Sequence, residues 1–210
     1  MIEKIHWLGH DSFRIEGDGL VIYTDPWKLG EGPKADLILI THDHSDHCSP
    51  ADVAKIQKED SVIVTVAAAA AKLSGQIEVV EPGDELTVKG VPISAVAAYN
   101  IDKFRSPGVP YHPQDAGYVG FIFTVEGKRI YHAGDTDNIP EMESIDVDIA
   151  LLPVSGTYVM TADEAVEAAA TIQPQVAIPM HIGRNIGSME DATHFQEKAS
   201  VPVVILPMEK

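Results

Sequence analysis

Leu37-Ile38-Leu39-Ile40-Thr41-His42-Asp43-His44-Ser45-Asp46-His47 is the most informative stretch of the chain. Leu37 to Thr41 is a continuous apolar run, the pattern of a strand buried on both faces. It empties directly into a segment holding three of the nine histidines, with Asp46 between the last two. Imidazole nitrogens and carboxylate oxygens are the zinc ligands of hydrolytic sites. Open α/β sheets place their sites just beyond the carboxyl ends of buried strands. If the backbone stays extended past the strand, His42 and His44 point the same way and can grip one ion. A turn beyond Ser45 then aims Asp46 and His47 at a second ion beside it. A solvated polar loop with chance histidines accounts less well for three in so short a window.

Two further segments share this layout, each a strand ending in a potential ligand. In Arg129-Ile130-Tyr131-His132-Ala133-Gly134-Asp135-Thr136-Asp137, the small Ala133 and Gly134 let the backbone approach a site, and Asp135 can bridge two cations. In Ala177-Ile178-Pro179-Met180-His181-Ile182-Gly183, His181 stands at the strand end. Taken singly, the first reads as a turn acid and the second as a structural histidine. Together with the first cluster they supply about as many ligands as two ions need.

Working outward, strand-like runs cover Lys4 to Leu8, Phe13 to Ile15 and Leu20 to Thr24, the last ending at the turn-forming Asp25-Pro26. Ser49 reads as an N-cap with Pro50 as the first helical residue. Strand Ser61 to Thr65 and an alanine-rich helix to about Leu73 follow, with Gly75 just past its end. Ile77 to Val80, Leu86 to Lys89 and Pro92 to Ala97 read as short strands. Tyr118 to Val125 and Arg129 to His132 flank the turn Glu126-Gly127-Lys128. Ile149 to Pro153 is another buried strand. Thr161-Ala162-Asp163-Glu164 is a capping box opening a helix to about Ile172. Strand Val176 to Met180, a helix opened by Ser188 and a last strand Val203 to Leu206 complete the chain. This order predicts an α/β fold in which two sheets pack face to face with helices outside, a four-layer arrangement.

The 210 residues suit one domain, or two small halves sharing a core. Hydrophobic residues make up 45% and charged residues 22%, ordinary values for a globular protein. One cysteine, Cys48, excludes an internal disulfide, a four-cysteine zinc ribbon and a CxxC redox site. It reads as a packed small side chain. The formal charge of -17, from 32 acidic and 15 basic residues, argues against nucleic-acid binding. The longest apolar run, Val62 to Ala71, is too short to span a bilayer, and the start shows no signal-peptide layout. A cytoplasmic location is the expectation. Nothing in the sequence reads out an oligomeric state.

His42-Asp43-His44-Ser45-Asp46-His47 resembles the HxHxDH motif of the metallo-β-lactamase superfamily. Asp25 in Tyr-Thr-Asp-Pro, Asp135 in His-Ala-Gly-Asp-Thr and His181 in Pro-Met-His resemble its other motifs, in the expected order. The match runs from Trp7-Leu8-Gly9-His10 to His181. It is most similar to the small metal-dependent hydrolase branch that includes ascorbate-phosphate lactonase and N-acyl phospholipase D. The resemblance implies an αββα sandwich with the site at one edge of the sheets. It implies that His42, His44 and Asp135 bind one ion, and that Asp46, His47, Asp135 and His181 bind the other. In one place the chain departs from the pattern. A histidine usual before the Asp135 motif is replaced by Asn100 in Ala-Ala-Tyr-Asn. Asn100, a water, or His112 on the Pro- and Gly-rich loop from Ser106 to Gly117 can fill that gap.

Two ions sharing a water lower its pKa toward neutrality and polarise the bond attacked by the resulting hydroxide. The expected activity is hydrolysis of an ester, lactone or phosphodiester bond in a small molecule. Asp46 is the expected catalytic residue, ligating the second ion and aiming the bridging hydroxide. Zinc is the expected metal, with manganese or iron compatible. His10, Asp25 and His132 read as outer residues that orient ligands, and His10 or His112 can also protonate a leaving group. Competing readings are a di-iron redox protein, a non-catalytic metal-binding protein and a nuclease. The first and third usually carry an added domain for which 210 residues leave no room. The second is disfavoured by the complete-looking Asp46, Asp135 and His181 set. Specificity is expected from loops Lys28 to Lys34 and Tyr99 to Gly117. Lys103 and Arg105 on the second can meet a phosphate or carboxylate.

Overall fold

The computed structural model describes residues 1–209. The apolar runs pair into two six-stranded sheets. The first holds β1 (Ile5–Gly9), β2 (Ser12–Gly17), β3 (Leu20–Thr24), β4 (Leu37–Ile40), β5 (Val62–Thr65) and β6 (Gln76–Val79), in that spatial order. β1 to β3 are antiparallel and β3 to β6 parallel. β4 and β5 are buried at every residue, as strands covered on both faces must be. The second sheet begins with β7 (Glu85–Val88) and β8 (Val91–Ala97). A separate hairpin, β9 (Phe104–Ser106) and β10 (Val109–Pro110), interrupts the chain before β11 (Val119–Val125), β12 (Lys128–His132), β13 (Ile149–Pro153) and β14 (Val176–Met180) complete the sheet. Here too, antiparallel pairs at one side give way to parallel pairs at the other.

Helices α1 (Pro50–Ile56) and α2 (Ala67–Ala70) make the crossovers between the parallel strands of the first sheet. α3 (Ala162–Ile172) makes one in the second, and α4 (Met189–Lys198) packs on α3 and β14. The result is the four-layer αββα sandwich, with a contiguous cluster of buried residues drawn from both sheets. Ser49 caps α1, and capping boxes open α3 (Thr161 with Glu164) and α4 (Ser188 with Asp191). The local caps therefore form as the sequence predicts.

Two elements differ from expectation. The alanine-rich helix stops after one turn at Ala70, because only Ala69 is buried and high propensity alone does not sustain so short a helix. Val203 to Leu206 forms no strand. Val203 makes a single bridge to Ala177, and Pro202 has no N–H to offer a ladder. The same tail then reaches the other sheet, where Glu209 donates its backbone N–H to Trp7. It thereby covers the exposed edges of β14 and β1. Among the described residues, no helix is long and apolar enough to cross a membrane.

Candidate metal centre

β1, β3, β4, β8, β12 and β14 all run in register-defined directions that bring their carboxyl ends to one edge. The residues just past those ends are His10 and Asp11, Asp25, His42 to His47, Asn100, Asp135 and His181. His10, Asp25 and His181 adopt left-handed backbone (φ 56°, 40° and 58°), a conformation that costs non-glycine residues of order 1 kcal/mol each and clusters at functional sites. Gly134 is also left-handed, and a Cβ there would stand 3.0 Å from the Val119 carbonyl oxygen and 3.1 Å from Thr41 Cβ. The close approach anticipated for Ala133-Gly134 is thus met, and it carries Asp135 in between the two sheets.

His47 N–H and Cys48 N–H both return to the His44 carbonyl, the turn expected beyond Ser45. It separates the ligand-type side chains into two groups. His42, His44, His112 and Asp135 converge in one; His10, Asp11, His47 and His181 converge in the other. Asp135 stands between them. Its Oδ1 lies 3.3 Å from His47 Nε2 and 3.4 Å from His181 Nε2, and its Oδ2 lies 3.2 Å from His112 Nε2 and 3.9 Å from His42 Nε2. Asp46 belongs to neither four-residue group. It sits at the mouth, partly exposed, with Oδ2 3.3 Å from His10 Nε2 and 4.0 Å from His47 Nε2. His10, expected as an outer residue, is inside the second group. Asp11 was not anticipated; its only signal is the same strand-then-ligand layout, Gly9-His10-Asp11 after β1.

Outer contacts determine which ring nitrogen of His42, His47, His112 and His181 faces the centre. Asp25 accepts from Thr41 N–H (2.8 Å), from the Thr41 hydroxyl (2.7 Å) and from His47 Nδ1 (2.8 Å). Because that hydroxyl gives its proton to Asp25, it accepts from His42 Nδ1 at 3.0 Å, leaving His42 Nε2 as the unprotonated nitrogen that faces His44 Nδ1 at 3.1 Å. Asn100 Oδ1 accepts from both the backbone N–H and Nδ1 of His112, each at 2.9 Å. Its amide orientation is set by donation to Asp137 Oδ1 (3.2 Å) and the Tyr158 carbonyl (2.9 Å). Of the options for the gap in the motif, His112 is the side chain in the group, and Asn100 is the residue that holds it. Ser155 Oγ hydrogen-bonds His181 Nδ1 at 2.8 Å. His132 donates from Nε2 to the Asp11 carbonyl (2.9 Å) and accepts at Nδ1 from Gly134 N–H (3.3 Å). Burial holds its pKa below the usual histidine range, as that neutral pairing requires.

The electrostatics divide between the groups. Burial, then repulsion from His47, keeps His42 well below its ordinary pKa, and burial and His112 lower His44. Burial opposes a charge on His47, but Asp135 and Asp25 outweigh it and hold its pKa well above the usual range. Burial likewise opposes ionisation of Asp135, and His47, His181 and His112 overcome it. Burial pushes the Asp11 carboxyl up to about 6 despite His10 and His181 nearby. Among the described residues, ten buried side-chain polar atoms lack a hydrogen-bond partner. Seven belong to this centre: both ring nitrogens of His10, both oxygens of Asp11, His47 Nε2, Asp135 Oδ1 and His181 Nε2. Buried polar atoms without partners cost several kcal/mol unless something satisfies them. All seven are of ligand type and lie on the His47 and His181 side, so that side fits a divalent cation, and the three imidazoles and one carboxylate oxygen of the other group are a donor set of the same kind.

Fold and site together define a metallo-β-lactamase-type α/β protein. The β-lactamase superfamily domain profile matches residues 4–181. The chain belongs to this superfamily and, within it, to the UPF0173 metal-dependent hydrolase family. A relative in Thermoplasma acidophilum is 36% identical, over 85% of this chain and 82% of its own length. One in Methanopyrus kandleri is 32% identical, over 97% of this chain and 96% of its own. The crystal structure of a metal-dependent hydrolase candidate from Parabacteroides distasonis superposes with a TM-score of 0.84 at 35% identity, covering 98% of this chain and 93% of that one.

Proposed function

We propose that this protein is a cytoplasmic, binuclear enzyme that cleaves an ester, lactone or phosphodiester bond in a small molecule. The observation that supports the reading is the Asp135 carboxylate standing between two groups of ligand-type side chains, with the buried ligand atoms on its His47 and His181 side left without partners. His42, His44, His112 and Asp135 would hold one ion. His47, His181 and Asp135 would hold the other, with a carboxylate from Asp11 or Asp46. Zinc suits these donors, and manganese or iron is compatible. Bound ions supply Lewis acidity and a water nucleophile at neutral pH.

The chain's own residues do the rest. Asp25, Thr41, Asn100 and Ser155 hold the imidazoles in one tautomer and orientation, so that little reorganisation is needed during reaction. Asp46 is held below the usual carboxylate range, its burial outweighed by His10 and His47, so it stays ionised. From the mouth of the centre it can accept a hydrogen bond from an incoming water and aim it. Cys48 takes no part: burial pushes its thiol up to about 11.

The test is Asp46→Ala assayed on bis-p-nitrophenyl phosphate and on a simple lactone, with circular dichroism as the check on folding. Turnover should fall by at least two orders of magnitude with the fold intact. Full activity in that variant removes Asp46 from the mechanism. Metal analysis of Asp11→Ala beside it distinguishes the two candidate carboxylates: the one that ligates loses an ion when replaced.

A further inference from the structure

The two basic side chains on the loop between Asn100 and His112 meet different surroundings. Lys103 is engaged by Asp102, by Glu164 at 2.9 Å and by Asp137 at 3.5 Å. Arg105 has no carboxylate within ion-pair distance among the described residues. Its guanidinium instead lies over the Tyr111 ring, 5.5 Å from the centroid, and Tyr111 packs on Tyr158 with ring centroids 4.1 Å apart. With Asp46, His112 and Asp135, these three side chains line a cavity of about 310 Å³. That volume suits a small ligand.

Three features set this wall apart from an ordinary solvated loop. Arg105 is the only Lys or Arg lining the cavity among the described residues, and it faces a wall that otherwise carries the carboxylates of Asp46 and Asp135. Tyr158 is 44% exposed yet held in left-handed backbone (φ 68°). The Asn100 amide that orients His112 also binds the Tyr158 carbonyl, so the aromatic wall is tied to the metal-ligand group through one side chain. A planar guanidinium steadied on an aromatic face is suited to bidentate binding of an oxyanion.

We propose that Arg105, backed by Tyr111 and Tyr158, binds a carboxylate or phosphate group of the substrate away from the bond that is cleaved, and thereby selects small anionic substrates. This rests on the hydrolase reading for the reaction, but the binding itself can be tested separately. Wild type, Arg105→Ala and Arg105→Lys are compared in two assays.

In the first, p-nitrophenyl hydrogen succinate, which carries a free carboxylate, is set against neutral p-nitrophenyl butyrate. Wild type should favour the charged ester. That preference in kcat/KM should fall about tenfold in Arg105→Ala, the low end for a charge-assisted hydrogen bond because the loop is open to water. The loss should fall mainly on KM, with partial rescue by lysine. In the second, titration calorimetry follows monomethyl succinate and monomethyl phosphate binding to the protein as purified. At least one should bind wild type about tenfold more tightly than Arg105→Ala, and which one identifies the anion. Equal binding of both compounds by the two proteins overturns the proposal whether or not either ester is hydrolysed. Absence of hydrolysis with Arg105-dependent binding instead counts against the hydrolase reading and leaves the anion site standing.

Discussion

Replacing Asn100 by alanine tests the departure from the superfamily motif most sharply. Asn100 is 6% exposed and His112 1%, and the Asn100 side chain makes four hydrogen bonds, two of them to His112. In Asn100→Ala, the His112 Nδ1–H and backbone N–H lose their acceptor in a buried setting. Each such loss costs about 1–3 kcal/mol, so the metal-free protein should be destabilised by roughly 2–6 kcal/mol. For a chain of this size that is a fall in Tm of roughly 4–24 °C. The His112 imidazole also loses the contact that fixes its tautomer, and loss of such an outer contact weakens metal binding about 10–100-fold. Thermal unfolding with and without metal, together with zinc competition against a chromophoric chelator, reads both effects. The first ion to leave should do so at lower chelator, and the second nearly as in wild type. Wild-type Tm and wild-type affinity for both ions would refute the assignment of Asn100 as the holder of His112.

Asp25→Asn should weaken the second ion, because the carboxylate accepts on both oxygens whereas an amide turns a donating NH2 toward either the Thr41 N–H or the Thr41 hydroxyl and His47 Nδ1; zinc competition should show a tenfold or greater loss. Metal uptake should release protons and strengthen as pH rises, since His47 and His181 sit above their ordinary pKa in the metal-free centre and must deprotonate to ligate. The sign for stability is opposite: the raised His47 and His181 pKa values favour the metal-free fold fully below the unfolded histidine pKa, and that contribution disappears as pH climbs through the folded values. Metal-free Tm should therefore decline with rising pH across that window while metal affinity grows, and calorimetry in two buffers of different ionisation enthalpy checks the proton release. Cys48, 3% exposed with its thiol pushed up to about 11, should resist a thiol reagent in the folded protein and react only on unfolding.

Much of the fold is legible in the sequence because its signals are local. The runs Leu37–Ile40 and Ile149–Pro153 are apolar at each position and become strands buried at each position. The Thr161 and Ser188 caps need only residues three apart. The strand-then-ligand layout likewise points to His42, His44, His47, Asp135 and His181 before any pairing is known. What the sequence leaves open depends on contacts remote in sequence. His112 reaches the centre only because the loop from Asn100 folds back through the β9–β10 hairpin, and Asn100 receives it through side-chain and backbone bonds across twelve residues. Asp11 is a lone acid whose place is set by a left-handed turn at His10 and by a bond from His132, far along the chain. Asp46 has the right type and spacing for a ligand, but the turn that brings His47 inward leaves it at the mouth. The tail strand fails for a reason visible only in hindsight: Val203 meets the edge of β14 between prolines 202 and 207.

In the proposed centre one carboxylate, Asp135, joins two metal positions. Metal content by plasma mass spectrometry, on protein purified without chelator, tests it directly in wild type and in Asp135→Ala. Two zinc or manganese ions are expected per wild-type chain, with both weakened or lost in the variant and hydrolysis of bis-p-nitrophenyl phosphate or a lactone lost alongside. A wild-type chain that binds no metal even when zinc or manganese is added, or an Asp135→Ala chain that keeps two ions at full affinity, would contradict it.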